Sequence, residues 1–414
     1  QTETTNETAQ TEQVSEESSV DTSERKTVKI WWLLSGAESD AMLAVCDLFN
    51  QSQEEYYAEG LSVDLEKTIT AMSGKDSPDV IWMFTSAVAG YAEEGIIENL
   101  DSYVSNDGFD TSCFTDLSVQ ASSYQGSLYG MPLNTSTCAL FYNMDLLEAA
   151  GYAEPPKTME ELYTMAVQTS VINSDGDLDV MGFPLFDPYA YQQEGVYAFG
   201  GRYADEQGNY TPDNAGIIKA LQMNVDYRNA MGADAVNKFM ANAATNVYSA
   251  NDVFFKGQQT FRFDGPWLTA MIKANAPDLN YGITLIPGSD NQAPGAGRIE
   301  SAMLMMATNA QEKDGAFALM KFFTTGDAVK QLDLAVGWVP ADKSLYEDPD
   351  IQAVPGYSTF IEQIATNNGV IFPMTKTASE YSAKITEYFE LVYNGKMTPE
   401  AAMSELKEKI SDLQ

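Results

Sequence analysis

Between residues 28 and 100, apolar runs too short to be helices alternate with longer segments of helical period. That alternation constrains the fold more than any other feature. Residues 28–34 form one apolar run, and residues 39–50 follow with Met42, Val45, Cys46 and Phe49 recurring on one helical face. A second helix is expected near 64–73. The run SPDVIWMF then gives a buried strand at 79–84, and a further helix passes through 91–95. A β-α-β-α order with short connections predicts a parallel, doubly wound sheet. Such sheets bind ligands on the loops that follow the strand C-termini.

The segment FKGQQTFRFDGPWLTAMIKANAPDLNYGITLIPG, residues 255–288, repeats the logic. A strand at 259–263 ends in Asp264-Gly265-Pro266-Trp267, a helix follows, and a second strand runs over 281–286. Pro266 suits a first helical position, where a missing N–H costs nothing. Trp267 therefore stands at a strand-to-helix turn. Its indole has two readings, a platform for the apolar face of a sugar ring or a plug in the core. Asp264 can accept from ligand hydroxyls or cap the helix.

Composition removes several function classes. The net charge of −37 and pI near 4.1 repel nucleic acid and anionic membrane. With no histidine, Ser-His-Asp and Cys-His catalysis are excluded, and a zinc enzyme is disfavoured. Paired-carboxylate chemistry survives. Three scattered cysteines do not make a disulfide framework, and Cys46 and Cys138 read as small buried hydrophobes. No apolar run reaches membrane-spanning length. Residues 1–24 hold seven acidic and no basic side chains among Thr, Ser, Gln and Asn, and are expected to be disordered. At 414 residues the chain is long enough for two lobes with separate cores.

The DGPW turn followed by YGITLIPG resembles the extracellular solute-binding proteins (family 1, maltose-binding-protein-like), the sugar-binding subunits of bacterial ABC importers. KIWWLLSG, SGKDSPDVIWM, AGYAEEGIIENLDSY and GSLYGMPLNTSTCALFYN match further landmarks in family order. The resemblance covers roughly residues 27–414 and implies a class II two-lobed α/β fold. Each lobe is a doubly wound sheet flanked by helices, joined by hinge crossings. The expected division is an acidic leash at 1–26, a first lobe of 27–136 and 287–345, and a second of 137–286 and 346–414. GSLYGMPLNTSTCALFYN is the first crossing. Thr158-Met159-Glu160-Glu161 reads as a capping box, and Thr398-Pro399-Glu400 opens a last helix with Met403, Leu406 and Ile410 inward.

The implied function is capture of an oligosaccharide by hinge closure and delivery to permease subunits, without catalysis or cofactor. The implied setting is a monomeric, lipid-anchored protein on the surface of a Gram-positive bacterium. Cleft candidates are Trp267, Asp264, Tyr189, Asn134, Ser136, Ser86, Trp32, Ser35, Tyr197, Glu300, Ser301, Trp338 and Tyr381. Trp32 and Trp338 read equally as core. The set is rich in aromatics, hydroxyls and acids and poor in cations, as sugars require. Two other readings stay open: the same fold binding a polyamine or peptide, and a carbohydrate-active enzyme with two facing carboxylates. Asn173, Asp175, Asp177 and Asp179 around Gly176 resemble the first half of a calcium loop. Pro184 stands where the closing glutamate belongs, so an acidic turn is expected and calcium is the alternative.

Overall fold

The structure is a computed structural model that describes residues 25–72, 74, 76–183 and 191–413. Eight strands frame it: β1 Lys26–Trp32, β2 Tyr56–Ser62, β3 Val80–Phe84, β4 Met131–Pro132, β5 Ala139–Asn143, β6 Phe261–Asp264, β7 Tyr281–Thr284 and β8 Ala302–Met306. The first sheet has the order β2-β1-β3-β8-β4. β1 is parallel to β2 and β3, and β8 is antiparallel to β3 and β4. β8 arrives from the other lobe, so it enters the sheet against the direction set by the β-α-β start.

Both faces of this sheet are covered, which explains why β3 and β8 read as unbroken apolar runs. Val80, Trp82, Leu304 and Met306 pack with Val28, Ile30 and Trp32 under the helices Gly36–Ser52 and Lys313–Thr324. Ile81, Met83, Met303 and Met305 fill the opposite face with Val88 and Ile97. Gly60 is required opposite Trp32, because a Cβ there would lie 2.4 Å from the indole.

The second sheet has the order β6-β5-β7, with both neighbours antiparallel to β5. The parallel pairing expected from the first lobe is met here, among the described residues, by isolated bridges from Met181 to Gln259 and from Thr158 to Gly288. One face carries Leu140, Phe261 and Phe263 against the helices Met159–Thr169, Ala378–Tyr393 and Pro399–Lys409. The other face packs Ala139 and Phe141 against Leu268, Ile272, Phe360 and Ile364. The expected boundary at 345/346 falls inside a small cluster of Val329, Leu345, Ile351 and Tyr357.

Local signals land close to their expected places. Thr158 Oγ1 accepts from Glu161 N at 3.1 Å, but Glu161 returns its carboxylate to Lys157 N at 2.7 Å, one residue short of a reciprocal box. Thr398 caps the last helix, and Met403, Leu406 and Ile410 are fully buried. Cys46 and Cys138 are buried free thiols, and burial pushes the Cys46 thiol up to about 12.

Candidate functional site

Four chain segments run side by side between the sheets. Asn134 bridges Pro340, Ser136 bridges Glu300, and Arg298 bridges Val370. Above them lies a cleft of about 390 Å3 lined from both lobes. The first lobe contributes Leu34, Glu38, Trp82, Phe84 and Trp338; the second contributes Val247, Tyr248, Trp267 and Met271; Asn134, Ser136, Arg298 and Glu300 line it from the crossing segments. A second compartment of about 280 Å3, lined by Thr85, Ser86, Gln193 and Phe372, shares Glu300 with the first.

Aromatic rings dominate the larger compartment. Trp82 and Trp338 stack at 6.1 Å between centroids and 17° between planes, and Phe84 meets Trp82 edge-on at 4.6 Å. Trp267 sits where β6 turns into the helix Trp267–Asn275, with Pro266 as the cap residue. Its indole lies over Gly265, where a Cβ would come within 2.1 Å of the ring. The position of Trp267 thus depends on the glycine of the turn as well as on the proline.

Asp264 is 3% exposed and internally committed. It accepts from Arg262 Nε at 2.8 Å, from Tyr248 Oη at 3.0 Å and from Gly265 N at 2.8 Å. Arg262 Nη1 also reaches both oxygens of Asp252 at 2.9 Å. Burial works against the Arg262 charge, yet Asp264 and Asp252 offset it and hold the guanidinium above its ordinary value. Tyr248 links this cluster to the cleft. Its hydroxyl accepts from Trp267 Nε1 at 3.1 Å, and its backbone takes φ 59°, a left-handed conformation rare outside glycine. Asp264 therefore braces Trp267 through Tyr248 and does not line the cleft.

The remaining candidates divide by burial. Trp267, Trp338, Asn134, Ser136 and Glu300 line the aromatic compartment, and Ser86 lines the second. Asn134 spends its Oδ1 on Ala302 N at 2.9 Å. Ser301 is not brought to the cleft: it is fully buried, and its hydroxyl donates to the Asn134 carbonyl at 2.6 Å. Trp32 packs inside the first lobe and donates Nε1 to Ser39 Oγ at 2.9 Å. Ser35 is an exposed residue preceding the helix Gly36–Ser52 and lies outside both compartments. Tyr381 is fully buried, donates to the Tyr203 carbonyl at 3.0 Å and stacks on Tyr210. Tyr197 is also fully buried and borders a separate opening of about 540 Å3. Tyr189 and Pro184 lie outside the described residues.

The acidic turn is a hairpin tip. Asn173 Oδ1 accepts from Asp175 N at 3.0 Å and Asp177 N at 3.1 Å, its amide donates to Asp179, and Lys238 pairs with Asp177. Asn173 Oδ1 and Asp179 Oδ1 are thus used within the turn, and among the described residues no three histidine, cysteine or acidic side chains converge as a metal site.

Sequence reading missed Tyr248, Phe84, Trp82 and Met271. Trp82 and Phe84 read as strand interior and strand end. No local pattern marks Tyr248, whose place follows from its contact with a buried ion pair.

A profile describing the bacterial extracellular solute-binding proteins matches residues 58–359. The chain belongs to this family. Among relatives, it is 26% identical over 342 residues to the galactooligosaccharide-binding protein of Bacillus subtilis, covering 80% of this chain and 76% of that one. It is 25% identical over 328 residues to the maltotriose-binding protein of Pyrococcus abyssi, covering 74% and 66%. The match to a putative binding protein of Brucella abortus spans 66% of that relative's length and 67% of this chain, at 25% identity. Solved structures share the two-lobed fold. The sugar-binding protein MalE of Xanthomonas citri superposes with a TM-score of 0.80 at 22% identity, covering 94% of this chain and 97% of that one. The mannotriose-bound CpMnBP1 gives 0.77 at 24%, covering 93% and 100%.

Proposed function

We propose that the protein captures an oligosaccharide between its lobes and delivers it to the permease subunits of an ABC importer. The observation that carries this reading is the aromatic compartment. Trp82, Phe84, Tyr248, Trp267 and Trp338 converge there with Glu38, Asn134, Ser136 and Glu300. Indole faces stack on the C–H faces of sugar rings, while carboxylates and amides pair with hydroxyls. Capture uses hinge closure about the segments at 134–136, 298–300 and 370, with residues 27–136 and 287–345 moving against 137–286 and 346–414. No covalent step is required. The names of the relatives support a sugar ligand, and a Deinococcus radiodurans relative is described as a probable ABC transporter-binding protein.

The protein acts outside a bacterial cell. We further propose that it is a monomeric lipoprotein of a Gram-positive surface, with residues 1–26 as a polar leash. Among the described residues no helix is long and apolar enough to cross a membrane.

The test is a thermal-shift panel of maltotriose, mannotriose and galacto-oligosaccharides, with spermidine as the cationic comparison. A true ligand at one hundred times its Kd stabilises by about 2.7 kcal/mol. Trp267→Ala is expected to remove the shift without unfolding the protein. A panel in which only spermidine shifts the melt refutes the sugar reading. Release of reducing ends from maltotriose refutes the non-catalytic one, which is worth checking because Glu38 and Glu300 share the cleft and burial raises the Glu38 carboxyl.

A further inference from the structure

Glu300 is the acid shared by both compartments, and its position is set from two sides. Its backbone is locked to Ser136 by a pair of hydrogen bonds, 2.8 and 3.0 Å long. Its carboxylate meets Arg298 Nη1 at 3.3 Å. Arg298 is itself held from beneath. Its backbone N–H donates to Glu194 Oε1 at 3.3 Å, and its Nε lies 3.5 Å from the same oxygen. The Arg298 side chain is 5% exposed and that of Glu194 is 0%. Glu194 belongs to the helix Tyr191–Ala198 of the second lobe, whereas Arg298 lies where the crossing segments meet.

One guanidinium thus stands between a sealed carboxylate and one that faces the cleft. Glu194 Oε2 is buried and has no hydrogen-bond partner among the described residues. An acid in that setting holds its charge through Arg298, with smaller help from backbone N–H groups and Cys138. With Glu194 neutral, Arg298 loses one of the carboxylates that hold it and leans to Glu300; with Glu194 ionised, the two acids compete for the guanidinium.

We propose that Glu194 and Arg298 are positioning residues for Glu300, and that proton gain or loss at Glu194 resets the geometry of the cleft floor. Burial, partly opposed by Arg298, raises the Glu194 carboxyl to about 7, so the switch falls at neutral pH. Among the described residues, the thiol and phenols facing Glu194 titrate above that range. Cys138, on the approach to β5, and Tyr197 and Tyr203, on and after its own helix, are all raised by burial and stay protonated. Arg202 beside Tyr197 remains cationic, lowered only by its own burial.

The consequence for ligand capture rests on the sugar reading above, so the test has an arm without sugar. Three of the five tryptophans, Trp82, Trp267 and Trp338, line the cleft with Arg298. Intrinsic fluorescence of the ligand-free chain is followed from pH 5.5 to 8.5. The expected result is one step with a midpoint near 7, absent in Glu194→Gln and displaced to higher pH in Arg298→Lys, whose cation reaches the carboxylate less well. Glu300→Gln is expected to keep the midpoint and shrink the amplitude, because Glu194 still titrates but its relay has lost its charge. A flat wild-type profile overturns the proposal. So does a step that persists in Glu194→Gln or, should that variant not fold, a midpoint unmoved in Arg298→Lys. In the second arm, maltotriose Kd by calorimetry is expected to change at least threefold between pH 6 and 8 in wild type and not in Glu194→Gln. Absence of maltotriose binding at every pH counts against the ligand reading, while the first arm decides this one.

Discussion

Gly265→Ala tests the seat of Trp267 without touching the indole. Gly265 is not one of the left-handed glycines, so alanine meets no positive-φ penalty there. The added methyl would instead lie 2.1 Å from Cζ3 and 2.2 Å from Cη2 of Trp267. An ordinary contact begins near 3.4 Å, so the ring must retreat by about 1.3 Å. That retreat strains or breaks the 3.1 Å bond from Nε1 to Tyr248. Overpacking of this kind costs about 1–3 kcal/mol, and a lost neutral hydrogen bond about 0.5–1.5 kcal/mol net. Trp267 is half-buried, so the indole has room to yield into the cleft and the stability loss should fall at the low end. The ligand then meets a displaced platform. An expected loss of at least tenfold in affinity corresponds to about 1.4 kcal/mol. Calorimetry with the tightest-binding sugar of the panel measures the affinity, and differential scanning calorimetry measures the fold. Gly90→Ala serves as control, because its Cβ meets nothing within 4 Å inside the helix Thr85–Glu93. It should stabilise by about 0.5–1 kcal/mol and leave affinity unchanged. If Gly265→Ala binds as wild type does, the indole does not contact the ligand.

Two further outcomes follow from buried charge. Arg262→Ala leaves Asp252 and Asp264 sealed without their cation and is expected to cost about 3–5 kcal/mol in urea unfolding; a loss under about 1 kcal/mol would mean the cluster does not brace the turn. Asp333 is fully buried, neither carboxylate oxygen has a hydrogen-bond partner among the described residues, and burial with Asp342 nearby raises its pKa well above 3.8. A raised folded-state pKa gives stability that is complete below pH 3.8 and is lost as pH climbs toward the folded value. The stability advantage of Asp333→Asn over wild type should therefore grow from pH 4 to 8, and a pH-independent difference refutes that account of Asp333.

Much of the architecture was legible because its causes are local. The apolar runs at β3 and β8, the Thr158 and Thr398 caps and the turn at Pro266 each depend on residues within a few positions. Strand direction was less legible. The second sheet is antiparallel around β5 because β6 and β7 return from opposite ends of one helix-containing excursion, a pairing that no short window contains.

The site shows the same limit. Sequence alone determined that an aromatic would stand at the strand-to-helix turn, since glycine and proline fix the backbone there. It also determined that no histidine chemistry operates. Tertiary structure decided what each polar group does. Asp264 is taken by Arg262 and Tyr248, Trp32 is closed in by the helix above it, and Glu300 is steered by a glutamate more than a hundred residues earlier. Burial and charge pairing are properties of what the rest of the chain brings alongside, and they are set only when the lobes have packed.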